Sequence, residues 1–150
     1  LEEWAADWSI GWASAAEIDR WGLRFALAVA ATRALDQLVV TPTHVLIDGP
    51  CNLLDARPVL TFVADEVPRL DYAELAHTTI IKGDRLSCVI AAASVLAKVR
   101  RDVLMNELDG EFPNYGWSQN KGYGVPRHLR SLRVDGPCHH HRQTWRLVQN

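Results

Sequence analysis

The segment His44-Val45-Leu46-Ile47-Asp48-Gly49 constrains the fold more than any other. Its apolar residues run without polar alternation, entered from Thr41-Pro42 and left through Gly49-Pro50. Such a run suits a central strand covered on both faces, whereas a half-wet strand alternates. A second short run, Thr78-Thr79-Ile80-Ile81-Lys82, ends in Gly83-Asp84. Helical patterns stand before, between and after these runs, and strands separated by helices give an α/β architecture.

The helices are legible from spacing and caps. Ser14-Ala15-Ala16-Glu17 has the pattern of a capping box, in which the serine oxygen takes a free amide and the glutamate reaches back. The helix it starts carries Ile18, Trp21, Phe25, Ala28, Val29, Thr32 and Leu35 on one face and stops before Thr41-Pro42. A long helix from about Arg85 to Leu108 turns Val89, Ala92, Ala93, Leu96, Val99 and Val103 inward. Trp8 to Ala13 reads as a short strand. Residues 51–77, with Pro58 and Pro68, read as an insertion on the scaffold with a short helix around Val59–Glu66. Phe112-Pro113-Asn114-Tyr115-Gly116 and Lys121-Gly122-Tyr123-Gly124 form a glycine-rich loop, and Pro126 opens a short basic helix through Arg133. From Gly136 the tail is irregular.

A chain of 150 residues is one domain's worth, and 48% apolar with 23% charged residues is a globular composition. No stretch reaches the roughly 18 apolar residues of a membrane helix, and no signal peptide opens the chain. A cytoplasmic monomer is the expectation. The three cysteines, Cys51, Cys88 and Cys138, are widely separated and odd in number, which is no disulfide framework. Charge is divided unevenly. Residues 1–81 hold 5 Lys and Arg against 12 Asp and Glu, whereas residues 82–150 hold 11 against 6. A basic second half suggests a polyanionic partner, against the alternative of an ordinary solvated surface.

Three sets of residues are candidates for chemistry. Asp48 and Asp84 each follow a short strand, and ligands of open α/β sheets sit beyond strand carboxyl ends. Two aspartates there are hard oxygen ligands suited to Mg²⁺ or Mn²⁺. The competing reading makes Asp48 a turn former and Asp84 a helix cap. The second set is Cys138-His139-His140-His141, whose contiguous residues cannot all reach one ion. A Cys–His hydrolase built on Cys88 or Cys51 is a further alternative, with Cys88 expected on the buried side of its helix. The third set is basic and aromatic: Trp117, Lys121, Tyr123, Arg127, Arg130, Arg133, Arg142, Trp145 and Arg146. Arginines for phosphates beside rings for sugars or bases make a nucleic-acid footprint, unless the rings are core and the helix face is solvated.

Several segments together resemble one family. Ile47-Asp48-Gly49, Lys82-Gly83-Asp84, Ala92-Ala93-Ser94-Val95-Leu96-Ala97-Lys98-Val99-x-Arg101-Asp102, Phe112-Pro113-x-Tyr115-Gly116, Lys121-Gly122-Tyr123 and His141-Arg142-x-Thr144-Trp145 occur in the order seen in bacterial type 2 ribonuclease H, ribonuclease HII. Glu17-Ile18-Asp19-Arg20 is similar to that family as well. The resemblance implies a ribonuclease H-like mixed sheet flanked by helices, with a helical C-terminal part. It also implies cleavage of RNA in RNA–DNA hybrids and at single ribonucleotides within duplex DNA, using four carboxylates and divalent metal, Mn²⁺ or Mg²⁺.

By that resemblance Asp48 is the third carboxylate and Asp84 the fourth. Tyr123 corresponds to the tyrosine that packs on the ribose beside the cut, with Lys121 and Gly122 in the same substrate-binding motif. Asp102 matches a regular position of the family and reads either as structural or as a support behind the metal-holding carboxylates. The family opens on Asp-Glu-x-Gly-Arg-Gly, which this sequence does not contain, and its first residue is Leu1. The expectation is therefore a chain without its first strands. A non-catalytic, hybrid-binding remnant is the alternative.

Overall fold

The computed structural model describes residues 1–55, 72 and 74–144. The order is α1 (Ala15–Trp21), α2 (Leu23–Gln37), β1 (Val45–Asp48), β2 (His77–Ile80), α3 (Gly83–Leu86), α4 (Cys88–Glu111), a 3₁₀ turn over Pro113–Tyr115, α5 (Trp117–Asn120) and α6 (Pro126–Asp135). The α/β class holds. The expected short helix at Val59–Glu66 and most of the 51–77 insertion lie outside the described residues. Among those residues no helix is long and apolar enough to cross a membrane.

The two strands pair in parallel, Val45 with His77 through Asp48 with Ile80. Gly49 N–H extends the ladder by donating to the Ile80 carbonyl at 2.9 Å. The strands differ from expectation in two ways. Only Ile47 of β1 is buried, and Leu46 is 38% exposed, so β1 is covered on one face. Besides β2, its packing partners among the described residues are α3 and α4. The second strand also ends at Ile80, earlier than its apolar run suggests, because Lys82 turns into the left-handed region (φ 58°) and starts α3.

The Ser14–Glu17 capping box forms as read. Ser14 Oγ accepts from Glu17 N–H at 3.2 Å, and Ser14 N–H donates to Glu17 Oε2 at 2.7 Å. The single long helix expected after it is two, broken at Gly22 (φ 81°). Its apolar face survives the break: Trp21, Phe25, Ala28 and Val29 make one buried cluster, with Trp21 and Phe25 edge to face at 6.0 Å. Trp8 to Ala13 is no strand. Its polar groups turn to α2 instead, with Ser9 Oγ donating to the Ala34 carbonyl and Arg33 donating to the Trp12 carbonyl. This segment presses so close that a Cβ on Gly11 would stand 1.8 Å from the Ala30 carbonyl oxygen.

The helix expected over Arg85–Leu108 starts earlier as α3, breaks at Ser87 in extended conformation (φ −131°), and then runs to Glu111 as α4. Its presumed inward stripe is where expectation fails most. Val89, Val99 and Val103 are each about half exposed, and Ile90 is the buried residue of α4. Periodicity correctly puts the stripe on one face, but it does not supply a cover. At its N-terminal end that face, through Val89, Ala92 and Leu96, lines a cavity of about 420 Å³ against Trp8, Ile10 and Leu35. The other end of α4 is better covered. Met105, Leu108 and Phe112 pack on a second cluster of Tyr115, Trp117 and Leu132, joined by Leu129 and Cys138.

Candidate metal and nucleic-acid site

The parallel ladder fixes Asp48 at the carboxyl end of β1, where its side chain points out of the sheet end and is exposed. Asp84 is exposed too, but it sits in the first turn of α3, four residues past β2, rather than directly after a strand. One hydrogen bond joins the two positions: Gly83 N–H donates to Asp48 Oδ1 at 2.8 Å. The residue immediately before Asp84 is thus anchored to the Asp48 carboxylate through its amide. Gly83 permits this closeness, since a Cβ there would lie 3.3 Å from Asp48 Oδ1 and 2.5 Å from Ile90 Cδ1.

Two exposed carboxylates, one at the end of β1 and one in the turn of helix that follows β2, have the right chemistry for a hard divalent cation. Mg²⁺ in particular is held by one or two carboxylates while water and substrate phosphate fill the remaining positions. Asp48 and Asp84 fit that role. Among the described residues no group of three or more His, Cys, Asp or Glu could hold an ion, so Cys138-His139-His140-His141 forms no metal cluster there.

Those four residues do something else. His141 is buried and its ring stacks on that of buried His128, with centroids 5.3 Å apart. Cys138 Sγ lies 3.3 Å from His141 Nδ1, and His139 and His140 crowd the Phe112 ring. Burial pushes the His141 imidazole below its ordinary pKa, and the neighbouring His128 adds to the effect. The segment is further tied to α1, where Asp19 accepts from Gln143 N–H at 2.5 Å and from Thr144 Oγ1 at 2.6 Å. Cys88 and Cys51 are exposed. The expectation that Cys88 lies on the buried side of its helix therefore fails; the first turn of α4 buries Ile90 instead.

The basic, aromatic set divides by burial. Trp117 is core, 2% exposed, stacked on Tyr115 at 5.0 Å. Tyr123 is 66% exposed, and Arg127, Arg130 and Arg133 are exposed along α6. Trp145 and Arg146 lie outside the described residues. Tyr123 is presented by a well-held loop. Asn120 Nδ2 donates to the Tyr115 carbonyl at 2.7 Å, and Asn120 Oδ1 accepts from Gly122 N–H at 2.8 Å. Lys121 adopts the left-handed region (φ 50°) and its ammonium donates to Asn106 Oδ1. On α4, Asp102 bridges to Lys98 at 2.5 Å, and that ammonium holds the carboxyl below its usual range. Arg101, named from sequence only as part of a motif and given no role, has its guanidinium over the Tyr123 ring; the signal for this is the spacing of Lys98, Arg101, Asp102 and Met105 on one helix face.

Comparison with known proteins gives one family throughout. The family model "Ribonuclease HII" matches residues 5–148. A ribonuclease HII of Phocaeicola vulgatus is 39% identical over 148 residues, covering 99% of this chain and 65% of that protein. One of Jannaschia sp. (strain CCS1) is 44% identical over 140 residues, covering 93% of this chain and 62% of the relative. One of Streptomyces coelicolor is 39% identical over 145 residues, covering 97% and 55%. The chain spans less than two thirds of the length of these curated relatives.

Proposed function

The chain belongs to the ribonuclease HII family, and from that membership we propose that the natural protein hydrolyses the RNA strand of RNA–DNA hybrids and single ribonucleotides embedded in DNA. The observation that carries the reading is the joined pair, Asp48 and Asp84 linked through Gly83 N–H. Residues 1–150 read as one domain with an insertion at about 51–77. The setting is the cytoplasm and the protein acts as a monomer.

In this reading Asp48 and Asp84 hold Mn²⁺ or Mg²⁺. Divalent ions held there would supply an activated water and charge stabilisation for the leaving oxygen of phosphodiester hydrolysis. The protein's own part is positional. Gly83 N–H keeps one Asp48 oxygen engaged and so restrains the carboxylate. Tyr123 offers an open ring face to a sugar, with Lys121 and Gly122 setting the loop that carries it. A hybrid differs from DNA in its 2′-hydroxyls, and a ring packed on the sugar senses that group by shape. The exposed arginines of α6 meet phosphates without reading sequence.

The test uses the natural protein and a DNA duplex holding one ribonucleotide, with Mn²⁺ or Mg²⁺ and with EDTA. Cleavage should be metal-dependent, and Asp48→Asn should lower it on the order of 100-fold or more while leaving hybrid binding in place. Tyr123→Ala should depress cleavage at the single ribonucleotide, and Tyr123→Phe should do so less. Near-normal turnover by Asp48→Asn overturns the metal assignment. Hybrid binding without any cleavage by the natural protein would favour the binding-remnant reading instead.

A further inference from the structure

An aromatic ring left exposed on a glycine-flanked loop has many orientations open to it, yet the Tyr123 ring is supported from one side. The Arg101 guanidinium lies over it, 5.4 Å from the ring centroid. The same guanidinium also walls the loop. A Cβ on Gly122 would stand 3.4 Å from Arg101 Nη2 and 3.2 Å from Met105 Cε. Arg101 is therefore packed against both the ring and the backbone that carries it.

The α4 face behind the loop is organised for this contact. Lys98, Arg101, Asp102, Met105 and Asn106 recur at helical spacing and so share one face. Asp102 is bridged to Lys98, and Lys121 is tied to Asn106, which leaves the planar cation of Arg101 to meet the ring. Its neighbour Arg100 goes elsewhere, bridging Glu2 at 2.7 Å and lying over Trp8 at 4.9 Å. The two adjacent arginines are thus not interchangeable.

We propose that Arg101 is a positioning residue for Tyr123: its guanidinium backs one face of the ring and thereby sets the angle at which the open face meets a nucleotide sugar. The physical basis is the attraction of a cation to the negative face of the ring, strengthened for arginine by stacking of two planes. A lysine at 101 would keep the charge and lose the plane. The proposal rests on the reading of Tyr123 as the sugar-contacting ring, and it assigns the orientation of that ring to a residue on another element.

Two measurements on the natural protein test it. In NMR spectra the Arg101 side-chain protons should carry a ring-current shift that Tyr123→Leu abolishes. In cleavage assays the readout is the rate at a single embedded ribonucleotide divided by the rate on a continuous RNA–DNA hybrid, so that any general loss of phosphate attraction cancels. Arg101→Ala should lower that ratio roughly two- to five-fold, the effect of an exposed cation–ring contact, and Arg101→Lys should lower it less. In a Tyr123→Ala background, Arg101→Ala should change the ratio no further. Equal losses in both backgrounds, or Arg101 protons indifferent to Tyr123→Leu, would overturn the proposal. Should the natural protein cut no ribonucleotide at all, the functional reading fails, and the ring-current comparison still decides whether Arg101 holds the ring.

Discussion

The two halves of the proposed site stand on scaffolds of different kinds. The metal half is a pair of four-residue strands with one buried side chain in β1, and its two aspartates are joined by a single hydrogen bond through Gly83. The sugar half rests on a layered aromatic cluster. Tyr115, Trp117, His128 and His141 are all buried there, and the loop over them is fixed by both ends of the Asn120 amide. Exposure of the functional groups is alike in the two halves. The support beneath them is not, and the difference shows that an open functional group says little about the rigidity of its seat.

Truncation of the buried residue beneath each half should sharpen that contrast most. Trp117→Ala removes a 2%-exposed ring stacked on Tyr115, and should cost about 3–5 kcal/mol. Ile47→Ala removes the buried residue of β1, and should cost about 2 kcal/mol, the low end for such a change, because β1 is covered on one face only. Urea unfolding of both variants measures the two costs. A larger loss for Ile47→Ala would show that the strand pair is better supported than its burial implies.

Acid should separate the cluster from the capped N-terminal helix. Burial lowers the folded pKa of His141, so the folded chain binds a proton there less readily than the unfolded chain. The stabilising contribution is full above the unfolded value near 6.5 and is lost as pH falls below it. Glu17 behaves oppositely in range: Arg33, donating to it at 2.6 Å, pulls its pKa down to about 2. That contribution is present above the unfolded value of 4.5 and fades only as pH falls from there towards 2. Between pH 6.5 and 5, limited proteolysis should therefore open the 136–144 segment while α1 and α2 stay protected. Simultaneous opening of both regions would mean that the Asp19 contacts to Gln143 and Thr144 couple them.

What the sequence disclosed follows the same division. The Ser14 capping box and the buried face from Trp21 to Thr32 were legible because cap chemistry and helical period are local properties. Asp48 and Asp84 were legible as candidates by position, but the Gly83 hydrogen bond between them depends on the turn at Lys82, which no local pattern announces. The α4 stripe of Val89, Val99 and Val103 was misread because periodicity identifies a face and not its cover. Trp117 and Tyr123 were indistinguishable as aromatics beside glycine. Only the arrival of His128, His141 and Leu132 from later in the chain makes one of them core.

The smallest effects should come from the glycines that let the chain turn beside each half. Gly49 and Gly122 both have positive φ, 103° and 79°, so an added side chain costs backbone strain of about 1 kcal/mol at either. Their surroundings differ. Among the described residues nothing lies within 4 Å of a Cβ at Gly49, whereas one at Gly122 meets Met105 Cε at 3.2 Å and Arg101 Nη2 at 3.4 Å. Gly49→Ala should therefore reduce stability by the strain alone and leave the ratio of single-ribonucleotide to hybrid cleavage unchanged. Gly122→Ala should cost as much in unfolding and also displace the guanidinium from the Tyr123 ring, lowering that ratio two- to five-fold. Each variant thus needs a stability measurement and a selectivity measurement. Equal ratios in the two variants would mean that Arg101 yields to the new methyl group without releasing the ring, and the sugar half would then be softer than its buried seat suggests.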